Sequence, residues 1–372
     1  MIISSDRNSK CNDFGSPYPN MTTMRLGKVG QPLLQKLVYH NLGRKRPEVS
    51  VGPKAGVDTS MVNLGGGKVL VTTTDPLSLV PSVGVSESAW LSAHLIASDI
   101  STSGLAPTYG VFGFNLPPSM ADSVFASYWK SFHSACKELG LAIIGGHTGR
   151  YAGCDYSIIG GGVMMTVGDK QKVLTSAMAN VGDDLILTKG AAIEATAVLT
   201  RAYPHSVRRA LGPRLFEKAL QYLHKVTVVR DALTAASVGV HESGVTAMHD
   251  ATEGGVVAAA LELASASETG LKLHLEEIDM QEEVKQVCGL FRINPLTSLS
   301  EGSLMISSRP SSSTHIINEL SSKRIDARVV GRLVPKSNGY KSTDKSGTAR
   351  LSYPRADPYW KAFDMARRKG WN

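Results

Sequence analysis

Cysteines and long apolar runs are both scarce in this chain of 372 residues. Its four cysteines are widely separated and form no CxxC pair, which argues against a zinc site and against a disulfide scaffold. No apolar run approaches the roughly 20 residues that a membrane-spanning helix needs, and the N-terminus lacks an apolar signal region. The sequence therefore predicts a cytoplasmic protein with no membrane contact and with reduced, mostly buried thiols.

Positive charge is not concentrated in any one region, although the formal net charge is +8. The basic residues are dispersed, and the aromatic residues, 6% of the chain, do not interleave with them. Nucleic-acid binding is therefore disfavoured, and an attraction for polyanionic small molecules such as nucleotides explains the charge equally well. The hydrophobic content of 42% and the length fit a globular protein with two domains.

Two acids flank a predicted buried helix in the first half of the chain. Val69–Thr74 is a β-branched run typical of a strand, and Asp75 follows it, with Pro76 expected to end the strand. Apolar residues at helical spacing predict a helix from Ser86, as N-cap, to Ser103, which places Asp99 near its far end. Each acid taken singly fits a solvated end of an element as well.

A third acid, Asp58, precedes a strand that is predicted to form a hairpin through the Gly65-Gly66-Gly67 turn. This places Asp58 and Asp75 at opposite ends of the hairpin. A second subunit or another strand must then complete a site with Asp99. Carboxylates of this kind suit magnesium that is bound together with nucleotide phosphates.

Five segments of the sequence resemble motifs of one known superfamily: GVDTS, VTTTDP, AHLIASDISTSGLAPTYGVFGFNLP, GLAIIGGHTGR and MHDATEGGV. It is the ATP-binding superfamily of aminoimidazole ribonucleotide synthetase, thiamine-monophosphate kinase, selenophosphate synthetase and the hydrogenase-maturation protein HypE. The resemblance runs from about Leu26 to about Leu351. It is closest to HypE-like members, although this sequence lacks their C-terminal cysteine.

The resemblance implies a PurM-like fold of class α/β (α+β). We expect a disordered leader at 1–24, an N-terminal ATP-binding domain at 25–172, a C-terminal α/β sandwich domain at 173–352 and a basic tail helix at 353–372. The expected assembly is a homodimer formed through the sheet of the N-terminal domain.

For the first domain, the resemblance implies ATP bound with Mg2+, with Asp58, Asp75 and Asp99 as metal ligands. The predicted strand Leu141–Ile144 leads into a glycine turn that brings backbone amides close to an anion. The turn residues expected to help cradle the nucleotide phosphates are Gly145, Gly146, His147 and Thr148.

For two residues of this predicted nucleotide site, His147 and Lys28, a structural or solvated role is an alternative to nucleotide binding. The family often has aspartate at the position of His147, and a histidine there fits a neighbour of phosphate and a satisfied structural residue equally. Lys28 lies in a segment that is near the nucleotide in the family, so it can touch phosphate. A solvated lysine is the simpler interpretation.

In the second domain, a predicted strand and polar turn lead to a helix that begins with paired glycines. Gly254 and Gly255 expose backbone amides at the positive end of the helix dipole, a natural place for a phosphate or a carboxylate. Asp250 can bind a metal-bridged phosphate or act as a base; alternatively, Asp250 or Thr252 merely caps the helix. The resemblance also places Glu301 near the substrate.

The predicted catalytic residues meet a small-molecule substrate in a cleft between the domains, opposite the γ-phosphate. They are Asp250, Thr252, Glu253 and Asn294. The predicted function is an enzyme that uses ATP to phosphorylate, and so activate, an oxygen of a small amide, carboxylate or phosphate ester.

Two other functions stay open. One is a non-catalytic nucleotide-binding regulator or maturation scaffold with a partner protein, suggested by the missing cysteine and by His147. The other is a phosphotransferase like thiamine-monophosphate kinase.

Overall fold

Two β-sheets divide the chain between them. The computed structural model describes residues 26–372, so the predicted leader at 1–24 lies outside the described residues. One sheet has six strands within residues 49–169, and the other has seven within residues 184–350. This arrangement confirms the predicted two-domain fold of class α/β, while the domain boundaries stay predictions.

The first sheet is covered by helices on one face. Its elements are α1 (Gln31–Leu37), β1 (Val49–Val51), β2 (Ser60–Gly65), β3 (Lys68–Leu79), α2 (Val85–Ser101), β4 (Tyr109–Leu116), α3 (Asp122–Glu138), β5 (Ala142–Arg150) and β6 (Ser157–Asp169). The strand order is β1-β2-β3-β6-β4-β5. Ile96 of α2 and Phe132 of α3 pack in one hydrophobic cluster with Phe112 of β4. Along β4, buried residues alternate with exposed ones. The exposed residues, such as Val111, point to the opposite face of the sheet.

The sequence predicts that strand β3 ends at Asp75. The strand instead continues through Pro76 to Leu79. Its pairing with β2 stops at Thr72, whereas its pairing with β6 continues to Leu79. Beyond Thr72 one edge of β3 is therefore free, and a strand with a free edge tolerates proline. Asp75 lies inside the strand, on the same face as the buried Thr73.

Helix α2 begins one residue before the predicted N-cap. Gly84, at φ 123°, is the N-cap, and no side chain caps the helix there. Ser86 is therefore not the cap, because glycine adopts this backbone conformation without the strain that a side chain would add. Asp99 lies near the C-terminal end of α2, as predicted.

The second sheet is buried on both faces at its centre. Its elements are β7 (Asp184–Thr188), α4 (Ile193–Ala202), α5 (Pro204–Leu220), α6 (Val229–Val238), β8 (Val245–Asp250), α7 (Gly255–Ala266), β9 (Gly270–His274), α8 (Glu282–Phe291), β10 (Leu304–Ser308), α9 (Pro310–Ser322), β11 (Ala327–Val334), β12 (Tyr340–Asp344), β13 (Gly347–Arg350) and α10 (Pro358–Arg368). The strand order is β13-β12-β9-β11-β7-β10-β8. Leu185 and Leu187 of β7 pack in the cluster that contains α7, whereas Ile186 packs in the cluster that contains α6 and α9.

Helix α10 falls in the predicted tail, but it is packed rather than solvated. Asp357 caps it by accepting a hydrogen bond from the Tyr359 N–H. Tyr359, Ala362 and Ala366 are buried in a cluster shared with α5 and α8. Of the helices within residues 26–372, none is both long enough and apolar enough to cross a membrane.

Candidate functional site

The loop before β2, strand β3 and helix α2 bring three acids of the first half together. Thr73 marks the meeting point, since its Oγ1 lies 2.9 Å from the carbonyl oxygen of Asp58 and 2.8 Å from Asp99 Oδ2. Asp75 follows on the same face of β3, and its charge acts on Asp99. Asp58 and Asp99 therefore meet at Thr73 within one chain, and the charge of Asp75 reaches Asp99; that the three acids bind one metal ion stays a prediction.

The hairpin register explains why these acids meet. Ser60 pairs with Thr72, so the residues before Ser60 lie beside those after Thr72. Asp58 and Asp75 thus lie at the same, open end of the hairpin, not at opposite ends as predicted. In an antiparallel pair, the start of one strand always adjoins the end of the other.

Strand β8 of the second half completes the cluster without a second subunit. His249 Nδ1 lies 2.7 Å from Asp58 Oδ1, and His249 Nε2 lies 3.1 Å from Glu262 Oε2 on α7. Potential ligand atoms of Asp58, His249 and Asp250 lie within 4.8 Å of one another. The candidate site therefore lies where the two halves of the chain meet.

Several carboxylate oxygens of this cluster are buried and have no hydrogen-bond partner among the described residues. They are Asp58 Oδ2, both Oδ atoms of Asp250, Glu194 Oε2 and Glu301 Oε2. Burial and the nearby charge of Asp58 raise the pKa of Asp250 to about 7. A buried carboxylate in this state is stabilised by a bound cation.

The same physical causes act on the other acids. Burial raises the pKa of Asp75 to about 6. Burial, followed by the charges of Asp250 and Asp58, raises the pKa of Asp99 well above its ordinary value. Burial and the charge of Asp357 raise the pKa of Glu194 to about 8. The site therefore holds more acid groups than it can keep ionised without added positive charge.

Lys28 and His249 supply the positive charge that the chain itself brings. Lys28 Nζ lies 2.6 Å from Thr252 Oγ1. Lys28 is exposed as a whole residue, but its ammonium is partly desolvated; this desolvation opposes its charge, and surrounding carboxylates, Glu262 first among them, outweigh it and raise its pKa. Burial likewise opposes protonation of His249, and the carboxylates of Asp58 and Glu262 outweigh it and raise its pKa well above the ordinary value.

The free oxygens fit Mg2+. This ion prefers carboxylate and phosphate oxygens and keeps several waters, so it needs only one or two carboxylates from the protein. Asp58 and Asp250 offer buried oxygens without partners, and the charges of both act on Asp99. His249 is a poor ligand in this arrangement, because an imidazolium between two carboxylates has no free lone pair.

The predicted glycine turn at Gly145–Thr148 is instead part of strand β5. Strand β5 forms the sheet edge and is separated from β3 by β4 and β6, that is, by about 14 Å. Gly145, Gly146, His147 and Thr148 therefore do not adjoin the acids of their own chain. Close pairing explains one glycine, since a Cβ on Gly146 would lie 2.2 Å from the carbonyl oxygen of Phe112. His147 Nε2 lies 2.7 Å from the hydroxyl of Tyr151.

The hydrogen bonds of Asn294 stay within its own loop. It is exposed, and its Oδ1 accepts a hydrogen bond of 3.0 Å from the Leu296 N–H. That bond caps the short 3-10 helix Pro295–Thr297. The polar loop thus satisfies its own backbone.

The predicted anion position at the start of α7 is occupied by the chain itself. The Gly254 N–H donates a hydrogen bond of 2.8 Å to Asp357 Oδ2. At Gly255 a Cβ would lie 2.7 Å from the carbonyl oxygen of Leu296, so close packing rather than ligand access accounts for this glycine. A helix start does attract a carboxylate here, as expected, but an intramolecular one.

Glu253 has both carboxylate oxygens engaged. Glu253 Oε2 accepts a hydrogen bond of 2.6 Å from the Lys28 N–H, and Oε1 accepts one of 2.8 Å from Trp360 Nε1. The structure thus groups Lys28, Asp250 and Thr252 with the acids of the first half and gives Glu253 a different set of contacts.

His249, Glu262 and Glu194 were not among the predicted site residues. One sequence signal for Glu262 exists, because it is the one acid in the otherwise apolar helix VVAAALELASA, and a buried acid requires a partner. No comparable signal marks Glu194, which follows a glycine stop at an ordinary helix start.

The fold and the site together define a class of protein. Its members have two α/β domains with an acid cluster between them. The model of the AIR synthase related protein, N-terminal domain, matches residues 56–165, and the model of its C-terminal domain matches residues 180–342. The chain belongs to the AIR synthase related family and has its PurM-like fold, which confirms the resemblance stated above.

The relatives include enzymes from several branches of this superfamily. Selenide, water dikinase of Methanocaldococcus jannaschii is 29% identical over 252 residues, which cover 65% of this chain and 70% of the relative. Carbamoyl dehydratase HypE of Rhizobium leguminosarum bv. viciae is 25% identical over 301 residues, covering 77% and 79%. The solved structure of AaThiL complexed with AMPPCP and TMP has a TM-score of 0.65 at 18% identity, covering 87% of this chain and 96% of that chain. The likeness to AaThiL, at this identity, shows a shared fold alone.

Proposed function

We propose that the protein is an ATP- and Mg2+-dependent enzyme that transfers a phosphoryl group to an oxygen of a small substrate. The observation that carries this proposal is the group of buried, unpartnered carboxylate oxygens on Asp58, Asp250 and Glu301 at the junction of the two domains. Uncompensated buried charge is costly, and proteins retain it where a cation completes the site. AaThiL, which shares the fold, was solved with AMPPCP, and this supports a nucleotide as the ligand of the proposal.

The proposed roles follow from position. Asp58, Asp99 and Asp250 would hold Mg2+, and Asp75 would act beside them. The ion would neutralise charge on the β- and γ-phosphates as the phosphoryl group leaves. Lys28, whose ammonium lies among these acids, would bind a phosphate oxygen. Thr252 would then be released from Lys28 to face the substrate.

The substrate side of this proposal differs from the sequence prediction. Asp250 belongs with the metal acids, and the start of α7 is filled by Asp357, so neither is offered to a substrate anion. Glu194 and Glu301 are the free carboxylates that remain on the second domain. They favour a neutral substrate group that both donates and accepts hydrogen bonds, such as an amide, because burial raises the pKa of Glu194 to about 8 and a protonated carboxyl both donates and accepts.

Calorimetry and turnover test this function together. We expect an ATP analogue to bind only when Mg2+ is present, and we expect ATP hydrolysis to rise when the correct metabolite is added from a mixed panel. Binding without any stimulated hydrolysis would favour the regulator or scaffold. No Mg2+-dependent binding would rule out both.

We also propose that the protein forms a homodimer through the uncovered face of the first sheet. Within the described chain this face exposes large apolar side chains, which are Leu64, Tyr109, Val111 and Val167. A contiguous apolar face of this kind marks an interaction surface. We expect a dimeric mass in light scattering at micromolar concentration and a monomeric mass for Val111→Lys, because a charge on this face would have to be buried in the dimer. A monomeric wild type would exclude this assembly.

A further inference from the structure

Helix α10 begins directly against the glycine motif of the candidate site. One carboxylate, that of Asp357, caps two helices: Oδ1 accepts from the Tyr359 N–H at 2.9 Å, and Oδ2 accepts from the Gly254 N–H at 2.8 Å. Asp357 is buried, so both hydrogen bonds are shielded from water. This contact fixes the first turn of α10 relative to the start of α7.

The same first turn of α10 is linked, through Glu253, to the segment that carries Lys28. Trp360 Nε1 donates to Glu253 Oε1, and the Lys28 N–H donates to Glu253 Oε2. Gly27, at φ 100°, permits this approach, because a Cβ there would lie 2.5 Å from Glu253 Oε1. Glu253 therefore ties a residue near the start of the described chain to a residue near its end.

The position of the Lys28 ammonium depends on this tie. Its backbone is held by Glu253, and its Nζ is held 2.6 Å from Thr252 Oγ1. Helix α1, which follows this segment, has no buried residue, so its packing does little to fix the segment. Loss of the Glu253 contacts would release Lys28 from the acid cluster.

We propose that Trp360 and Glu253 are positioning residues: they hold Lys28 where its ammonium can bind the phosphates of a nucleotide, without touching the nucleotide themselves. The phosphate contact in this inference rests on the proposed function. The link from Trp360 through Glu253 to Lys28 does not depend on that function. On this proposal Glu253 has a positioning role rather than the catalytic role predicted from the sequence, because both of its oxygens already accept hydrogen bonds within the tie.

The first experiment needs no nucleotide. The full chain would be treated with an acetylating reagent, and the rate of modification at Lys28 would be followed by mass spectrometry. An ammonium held among carboxylates reacts slowly, so we expect Trp360→Phe and Glu253→Gln to raise the rate at Lys28 about tenfold, the equivalent of one lost hydrogen bond. Trp371→Phe is the matched control, because Trp371 packs on Phe291 and not on the site; its rate should equal that of the wild type. An unchanged rate in folded Trp360→Phe would overturn the proposal.

The second experiment asks whether the tie acts through Lys28. Calorimetry with Mg2+ and the ATP analogue should show a similar loss of affinity, about tenfold, for Trp360→Phe and for Lys28→Ala. The double variant should be no weaker than Lys28→Ala alone, because the two changes remove the same interaction. Additive losses would show that Trp360 acts elsewhere. If the wild type bound no nucleotide, the proposed function would be wrong. The acetylation rates would still show whether Trp360 and Glu253 hold Lys28 in place.

Discussion

Asp250→Asn is expected to lose Mg2+-dependent ATP binding by about a hundredfold or more while making the metal-free protein more stable. Asp250 is 1% exposed, and neither of its carboxylate oxygens has a partner among the described residues. Asparagine keeps the shape but removes a charge that repels Asp58 and Asp99 when no cation is bound. The stability gain should be on the order of 2 kcal/mol. Calorimetry measures the first effect and denaturant unfolding without Mg2+ the second.

Asp231→Asn is a matched control for this pair of effects. Asp231 is also buried, but its Oδ2 lies 2.6 Å from Thr188 Oγ1 and 2.9 Å from Lys189 Nζ. Its replacement should lower stability and leave ATP affinity unchanged, because a satisfied charge is lost. If Asp250→Asn kept its ATP affinity but lost substrate-stimulated hydrolysis, Asp250 would act on the substrate side, as the sequence alone predicted.

The metal-free protein is expected to lose stability as the pH rises from about 5 to about 8. The folded-state pKa values of Asp75, Asp250 and Glu194, about 6, 7 and 8, lie above the ordinary values near 4 of these groups. Between these limits the folded state binds more protons than the unfolded state, so stability falls with increasing pH. The loss should be at least about 3 kcal/mol. Thermal or denaturant unfolding in a chelator across this range measures it.

Glu194→Gln isolates one contribution to this slope. The variant should be less sensitive to pH than the wild type, chiefly between pH 5 and 8, because it removes one of the acids that must ionise. Excess Mg2+ should flatten the wild-type curve, since a bound cation favours the ionised carboxylates. A wild-type stability that increased over this range would mean that the acids are already compensated by other groups.

The elements that could be predicted from sequence are those with a strong local pattern. The apolar, β-branched run after Val69 and the helical spacing around Ile96 each correspond to an element close to its expected position. The errors occurred where pairing decided the outcome. Pro76 is tolerated because β2 has already ended, and the glycines near Gly146 lie in an edge strand because β4 pairs closely with it.

The site could be predicted in part for the same reason. Asp58, Asp75 and Asp99 were identified from their positions at element ends and from the family motifs. The contact of His249 with Asp58 could not be inferred by local reasoning, because it depends on how the two sheets pack against each other. Asp357 lies 103 residues from Gly254, and no spacing rule connects a carboxylate to a helix start at that distance.

The tie between Lys28 and Trp360, through Glu253, also has a consequence for biosynthesis. During translation, the segment around Lys28 leaves the ribosome long before Glu253 and Trp360. The tie therefore cannot form until both of these residues have been made. Until then the acids of the first half exist without their lysine counter-ion held in place, and closing so long a loop must wait for both sheets to form. On the role proposed for Trp360, the nascent protein cannot fix this cation before the start of α10 has been made.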